Sequence, residues 1–96
     1  MSYSLRFKES ALKEWHRLSQ PVRQQFKKKL AERLEQPRVP SAALHGVRDL
    51  YKIKLRAAGF RLVYQVDDDI VTVTVIAVGK RERNEVYAAA RQRLRN

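Results

Sequence analysis

The sequence predicts an α+β fold of order β-α-α-β-β-β-α: a small antiparallel sheet, two N-terminal helices packed on one of its faces, and a C-terminal helix. Three stretches carry this reading. Residues 50–66, LYKIKLRAAGFRLVYQV, alternate polar and apolar side chains on both sides of a turn, the period expected of a half-buried hairpin. Residues 70–78, IVTVTVIAV, are almost continuously β-branched and apolar, which suits a central strand covered on both faces. Val22, Phe26, Leu30 and Leu34 recur every fourth residue, the stripe of an amphipathic helix.

The remaining elements follow in order. Residues 3–9, YSLRFKE, place Tyr3, Leu5 and Phe7 on one side of a first strand, expected to be its buried face. Ser10 is a candidate cap for a short helix carrying Ala11, Leu12, Trp15 and Leu18. The SQP of residues 19–21 breaks that helix, and Pro21 suits the first turn of the next, which Pro37 and Pro40 end. Residues 38–49 read as a loop. After the hairpin, DDD (67–69) is a polar turn into the β-branched strand, and Val86, Tyr87, Ala90 and Leu94 mark the last helix. Ninety-six residues suit a single domain, 1–96, and 44% apolar side chains suffice for a core.

Composition removes several classes of function. There is no cysteine, hence no disulfide framework and no thiolate metal site or nucleophile. Neither a membrane span nor a signal peptide is legible. The two histidines, His16 and His45, have no metal-like spacing, and only three glycines exist, none grouped into a phosphate-cradling loop. What stands out is charge: 21 Lys and Arg against 10 Asp and Glu, a net +11. Such an excess points to a polyanion or an acidic partner.

The hairpin concentrates that charge. If Gly59 closes a short turn that pairs Arg56 with Arg61, then Tyr51, Ile53, Leu55, Phe60, Leu62 and Tyr64 form one apolar face, which the first two helices cover. Lys52, Lys54, Arg56 and Arg61 gather on the other. Like charges opposed across strands are destabilising, so a phosphate backbone is the natural compensating partner. Lysines on an edge strand also deter edge-to-edge pairing, but that does not explain the two arginines. Lys80, Arg81 and Arg83 emerge from the neighbouring strand, followed by Tyr87, which suits core packing or stacking on a base. His45 precedes Gly46 in a loop, and Arg23, Lys27 and Lys28 line a helix. These are further candidate RNA contacts beside Arg56, Lys80 and Arg83. The strands themselves offer no Glu–His pair of the kind that serves acid–base catalysis in microbial ribonucleases.

Five segments, ALKEW (11–15), KKKL (27–30), LYKIKLR (50–56), RLVYQV (61–66) and VGKRERNEVY (78–87), together resemble the RelE toxins of RelBE-type bacterial toxin–antitoxin systems, within the RelE/ParE superfamily. The likeness extends from near the first strand to the last helix. It implies a fold related to microbial ribonucleases and a ribosome-dependent endoribonuclease that cuts messenger RNA in the ribosomal A site, arresting translation without metal or cofactor. Lys52, Lys54, Arg61, Arg81 and Tyr87 match the family's catalytic and RNA-binding positions. His45 is a departure, since relatives often carry Arg or Lys before that glycine.

The resemblance further implies a cognate RelB-like antitoxin, the 70S ribosome and messenger RNA as partners, operator DNA only through the antitoxin complex, no membrane, and a bacterial or archaeal cytoplasm. The expected chemistry is attack by the 2′-OH on the adjacent phosphorus. A lysine would be the base, Arg61 a phosphate clamp, Arg81 a transition-state stabiliser and Tyr87 a nucleotide-orienting ring. Which lysine is the base stays open at this level. Two rival readings share the charge and the core: a ParE-like toxin acting on DNA gyrase, and a non-catalytic RNA-binding module.

Overall fold

The computed structural model describes residues 2–82 and 84–95. Among them, β1 (Ser4–Phe7) is followed by α1 (Glu9–His16) and α2 (Gln20–Glu35). A 3₁₀ turn (Pro40–Ala42) leads through the loop to β2 (Leu50–Leu55), β3 (Phe60–Asp67) and β4 (Thr72–Lys80), and α3 (Glu85–Arg95) comes last. The order of elements is the expected one. The sheet runs β1-β4-β3-β2, with β2, β3 and β4 antiparallel as expected.

Three local expectations need correction. β1 pairs parallel with β4, so the sheet is mixed rather than purely antiparallel. Parallel pairing needs a long return connection, and α1, α2, β2 and β3 supply it. As an edge strand of four residues β1 is only partly covered: Phe7 and the preceding Tyr3 pack on the core, while Leu5 is 39% exposed. Ser10 is not a cap. The helix starts earlier, with Lys8 at the capping position and its carbonyl accepting from the Leu12 amide.

The hairpin register also differs. Lys54 faces Arg61 and Leu55 faces Phe60, leaving residues 56–59 as a four-residue loop with Arg56 in it. Gly59 takes φ +74, a backbone conformation that side chains disfavour, and its amide donates to the Leu55 carbonyl at 2.8 Å. Relative to the expected pairing the strands slip by two residues. An even slip returns every side chain to its own face, so the division into an apolar and a basic face survives.

Two cores lie on opposite sides of the sheet. On one side, Ala11, Trp15, Phe26 and Leu30 of α1 and α2 pack on Ile53, Leu62, Tyr64 and Val75. On the other, Val86, Tyr87 and Ala90 of α3 pack on Leu50, Val63, Ile76 and Ala77. β4 serves both because it carries a bulge. Val63 faces Ala77 but Tyr64 faces Val75, so Ile76 is the extra residue. Consecutive Ile76 and Ala77 thereby both join the α3 core, and Val75 and Val78 join the other. The bulge also brings Gly79 beneath α3, where an added Cβ would lie 3.2 Å from Val86 Cγ2.

β1 stops at Phe7, opposite Val75, and two side chains take over from it along β4. Glu14 Oε1 accepts from the Val78 amide at 3.1 Å, and Arg93 Nη1 donates to the Ile76 carbonyl at 2.8 Å. The two side chains join through a two-pronged ion pair of 2.8 and 3.0 Å, which raises the Arg93 pKa above its ordinary value. α3 is thus tied to α1 past the end of β1. Charge-assisted bonds of this kind contribute about 1.5–3 kcal/mol each. A double-mutant cycle of Glu14→Ala and Arg93→Ala, read by urea unfolding, should give a coupling of about 1–3 kcal/mol. Additivity within about 0.5 kcal/mol would show that the pair does not hold the layers together.

Candidate active site

The sheet face that α3 only partly covers holds the basic cluster. Lys52 and Lys54 alternate with core residues on β2, and Arg61 stands across from Lys54 on β3. Arg81 follows β4 directly, and its amide donates to the Gly59 carbonyl at 2.8 Å, which ties it to the hairpin turn. Lys54, Arg56, Arg61 and Arg81, with Leu55 and Phe60, line a cleft of about 250 Å³. Neither a carboxylate nor a histidine lines it. Lys52 stands at its border, two residues along the same strand face.

The electrostatics follow from this convergence. Lys54 is pushed below the ordinary lysine pKa, first by the charge of Lys52, then by partial desolvation, then by Arg61, Arg56 and Arg81. Tyr87 of α3 lies beneath Arg61, with the guanidinium carbon 5.0 Å from the ring centroid. The ring is only 9% exposed. Burial raises the phenol pKa, and the nearby arginine charge offsets part of that rise. The group therefore stays protonated at neutral pH. Its hydroxyl and Arg61 Nε are both buried without a hydrogen-bond partner among the described residues.

One residue the sequence reading missed completes the arrangement. Asn84 accepts a bond from Arg61 Nη1 at 3.2 Å, while its own carbonyl accepts from the Ala88 amide at the start of α3. It adopts φ +59, a region asparagine tolerates better than most residues. An Asn just before a helical stripe was the available signal, but its contact with Arg61 is tertiary.

The structure brings together Lys52, Lys54, Arg56, Arg61, Arg81 and Tyr87. Lys80 is exposed at the end of β4, beside the cleft. His45 is exposed in the turn before Gly46 and does not line the cleft. Arg23, Lys27 and Lys28 lie on α2, which packs on the opposite face of the sheet. Lys27 borders an apolar groove there, between α2 and β1. Arg83 falls outside the described residues. Tyr87, expected to meet a nucleotide, here lies under Arg61 as its support. Among the described residues, no three His, Cys, Asp or Glu side chains converge as a metal site would require.

The arrangement can bind a phosphate from several sides, stabilise added negative charge on it, and present one lysine with a weakened hold on its proton. The family model for the ParE toxin of type II toxin–antitoxin systems matches residues 5–85. The chain is 58% identical over 94 residues to the mRNA interferase toxin RelE of Escherichia coli K12, covering 98% of this chain and 99% of that one. A RelE-like toxin of E. coli is 55% identical over 95 residues, 99% of this chain and all of the relative. Among solved structures, the free E. coli RelE toxin bearing R81A and R83A superposes with a TM-score of 0.91 at 56% identity, covering 98% of this chain and 99% of that one. The same mutant bound to an antitoxin RelB peptide gives 0.83 at 58% identity, covering 94% and 95%. By sequence and by fold, the chain belongs to the RelE/ParE family of toxins from type II toxin–antitoxin systems.

Proposed function

We propose that this chain is the toxin of such a pair, an endoribonuclease that cuts messenger RNA in the ribosomal A site and so inhibits translation. The observation that carries the reading is the convergence of Lys54, Arg61 and Arg81 on one cleft without a carboxylate. The mRNA interferase names of relatives at 58% identity support it. They also favour it over action on DNA gyrase, although the family model bears the ParE name. The same names favour it over a non-catalytic RNA-binding module.

The 2′-OH attacks the adjacent phosphorus in line with the departing 5′-oxygen, leaving a 2′,3′-cyclic phosphate and a 5′-OH. Lys54 removes the 2′ proton, because it lines the cleft and the surrounding cations make it easier to deprotonate than an ordinary lysine. Arg61 cannot act as a base and clamps the phosphate. Its guanidinium plane is fixed by Tyr87 below and Asn84 beside. Arg81 stabilises the charge that grows on the phosphoryl oxygens and the leaving group, and solvent water protonates the departing 5′-oxygen. Lys52 raises the local potential. A nucleotide that stacks on Tyr87 must first move Arg61 aside.

A RelB-like antitoxin neutralises this chain, as suggested by the antitoxin complexes of its relatives, and the pair reaches operator DNA through the antitoxin. The working compartment is the cytoplasm, where ribosomes are. No described helix is long and apolar enough to cross a membrane.

Single-turnover cleavage of ribosome-bound message should slow about 10²–10³-fold for Lys54→Ala and Arg81→Ala. Lys28→Ala, an equal loss of charge on the far face, should leave the rate nearly unchanged. Equal losses in all three would leave the cluster only a nonspecific electrostatic role. The wild-type rate should rise with pH, about tenfold per unit while Lys54 is mostly protonated, and Lys54→Ala should flatten that rise.

The same cleavage should be more than ~10³-fold faster on the ribosome than on the free message at matched salt. Alignment of the 2′-OH can supply roughly 7–11 kcal/mol, and a flexible strand does not hold that geometry. Comparable rates in the two states would overturn the ribosome-dependent reading.

A further inference from the structure

The basic surface does not end at the cleft. Phe60, which walls the cleft, also walls a second depression beside it, bordered by Lys80 at the end of β4 and by Arg17 at the end of α1. Arg17 and Glu14 in turn border a third depression, of about 510 Å³, lined further by Lys13 and Lys8. These shared lining residues place the three side by side as one row of depressions. The row leaves the cleft at Phe60, rounds the end of β4 where β1 has already stopped, and follows α1 back towards its start.

The charge along this groove is one-sided. Lys80, Arg17, Lys13 and Lys8 form no ion pair among the described residues. Of the carboxylates in its walls, Glu14 is bound by Arg93 and by the Val78 amide, which leaves Glu9 as the other. Four cations thus follow one path against one uncommitted carboxylate. Closely spaced like charges raise the potential of a groove and attract a chain of phosphates. At the junction, the partly exposed Phe60 offers an aromatic surface to a base.

We propose that this groove is a second RNA subsite, holding the backbone of the single-stranded message that flanks the cut, with Lys80, Arg17, Lys13 and Lys8 as successive phosphate contacts. The proposal rests on the reading of the cleft as the seat of the scissile phosphate. Continuity favours the message over ribosomal RNA, because a groove that opens from the reaction cleft receives the strand that leaves it. Holding the flank limits the motion of the nucleotide at the cut, and positioning is what a site without a histidine–carboxylate pair must rely on.

The test is equilibrium binding, by fluorescence anisotropy, of a trinucleotide and a dodecanucleotide of 2′-O-methyl RNA, which cannot be cleaved. The Lys13→Gln/Arg17→Gln double variant should bind the dodecanucleotide at least about tenfold more weakly and the trinucleotide within about twofold of wild type. The slope of log affinity against log salt for the dodecanucleotide should fall by about 1.4, or about 0.7 for each phosphate no longer neutralised. Lys8→Gln, a milder change, should show the same length dependence and reduce the slope by about 0.7. Equal losses on both lengths, or none on the dodecanucleotide, would overturn the proposal. So would weaker binding to message-free ribosomes with the dodecanucleotide unaffected, which would assign the groove to ribosomal RNA. Arg61→Ala probes the cleft separately. It should weaken both oligonucleotides, and unchanged trinucleotide binding there would refute the reading of the cleft and leave the length dependence to decide the groove.

Discussion

The pairing of Lys54 with Arg61 across β2 and β3 is the constraint around which the rest of the site is organised. Two like charges directly opposite each other disfavour the hairpin. The fold holds them there because the reverse face of the same strands is fully committed. Ile53, Leu55, Leu62 and Tyr64 are buried against α1 and α2, and burial of each such side chain contributes about 1.5–3 kcal/mol. A one-residue slip would relieve the repulsion only by turning that row to water. Arg33 adds a fixed point: from α2 it donates to both the Lys52 carbonyl at 3.1 Å and the Tyr64 hydroxyl at 2.9 Å. Apolar packing on one face thus sustains electrostatic tension on the other, and the proton on Lys54 is loosened first by Lys52 beside it and then, after partial desolvation, by Arg61 across from it.

The second ingredient is the way β4 joins the two sides. Its bulge at Ile76 lets one strand feed both cores and delivers Gly79 to the close approach of α3. α3 in turn carries Tyr87 under Arg61. The Glu14–Arg93 pair ties α3 to α1 and satisfies the stretch of β4 that β1 does not reach. The position of one arginine therefore depends on a bulge, a glycine and an ion pair, none of which touches the cleft. Pre-organisation of this sort presents a fixed guanidinium at the cleft without rearrangement when a charge arrives.

Much of this is legible in the chain itself. Period-two alternation in residues 50–66 and the β-branched run of 70–78 mark the strands, and the row of Val22, Phe26 and Leu30 marks α2. Net charge and the alternation of Lys52 and Lys54 with core residues single out the basic face, the run after the next strand adds Arg81 and Tyr87, and the family resemblance gives them expected roles. What misleads is of a different kind. Ser10 looks like a cap, but the capping position falls on Lys8. A tight turn at Gly59 would pair Arg56 with Arg61, whereas the chain uses four loop residues. Arg23, Lys27 and Lys28 lie on the opposite side of the sheet from the cleft, which their charge alone does not reveal.

Local pattern determined which residues turn inward, because side-chain direction follows from backbone period, and a slip of two leaves that direction unchanged. Hence the apolar and basic faces of the hairpin were readable without knowing its register. Composition likewise pointed to a polyanion or an acidic partner, since a net +11 is independent of conformation. Tertiary structure alone decided the parallel pairing of β1 with β4, the bulge at Ile76, the hold of Asn84 and Tyr87 on Arg61, and the ion pair of Glu14 with Arg93. Each joins residues far apart in the chain, or is selected by competition between two cores for one strand. No local preference encodes the outcome of that competition, because its energy comes from surfaces that meet only once the chain has folded.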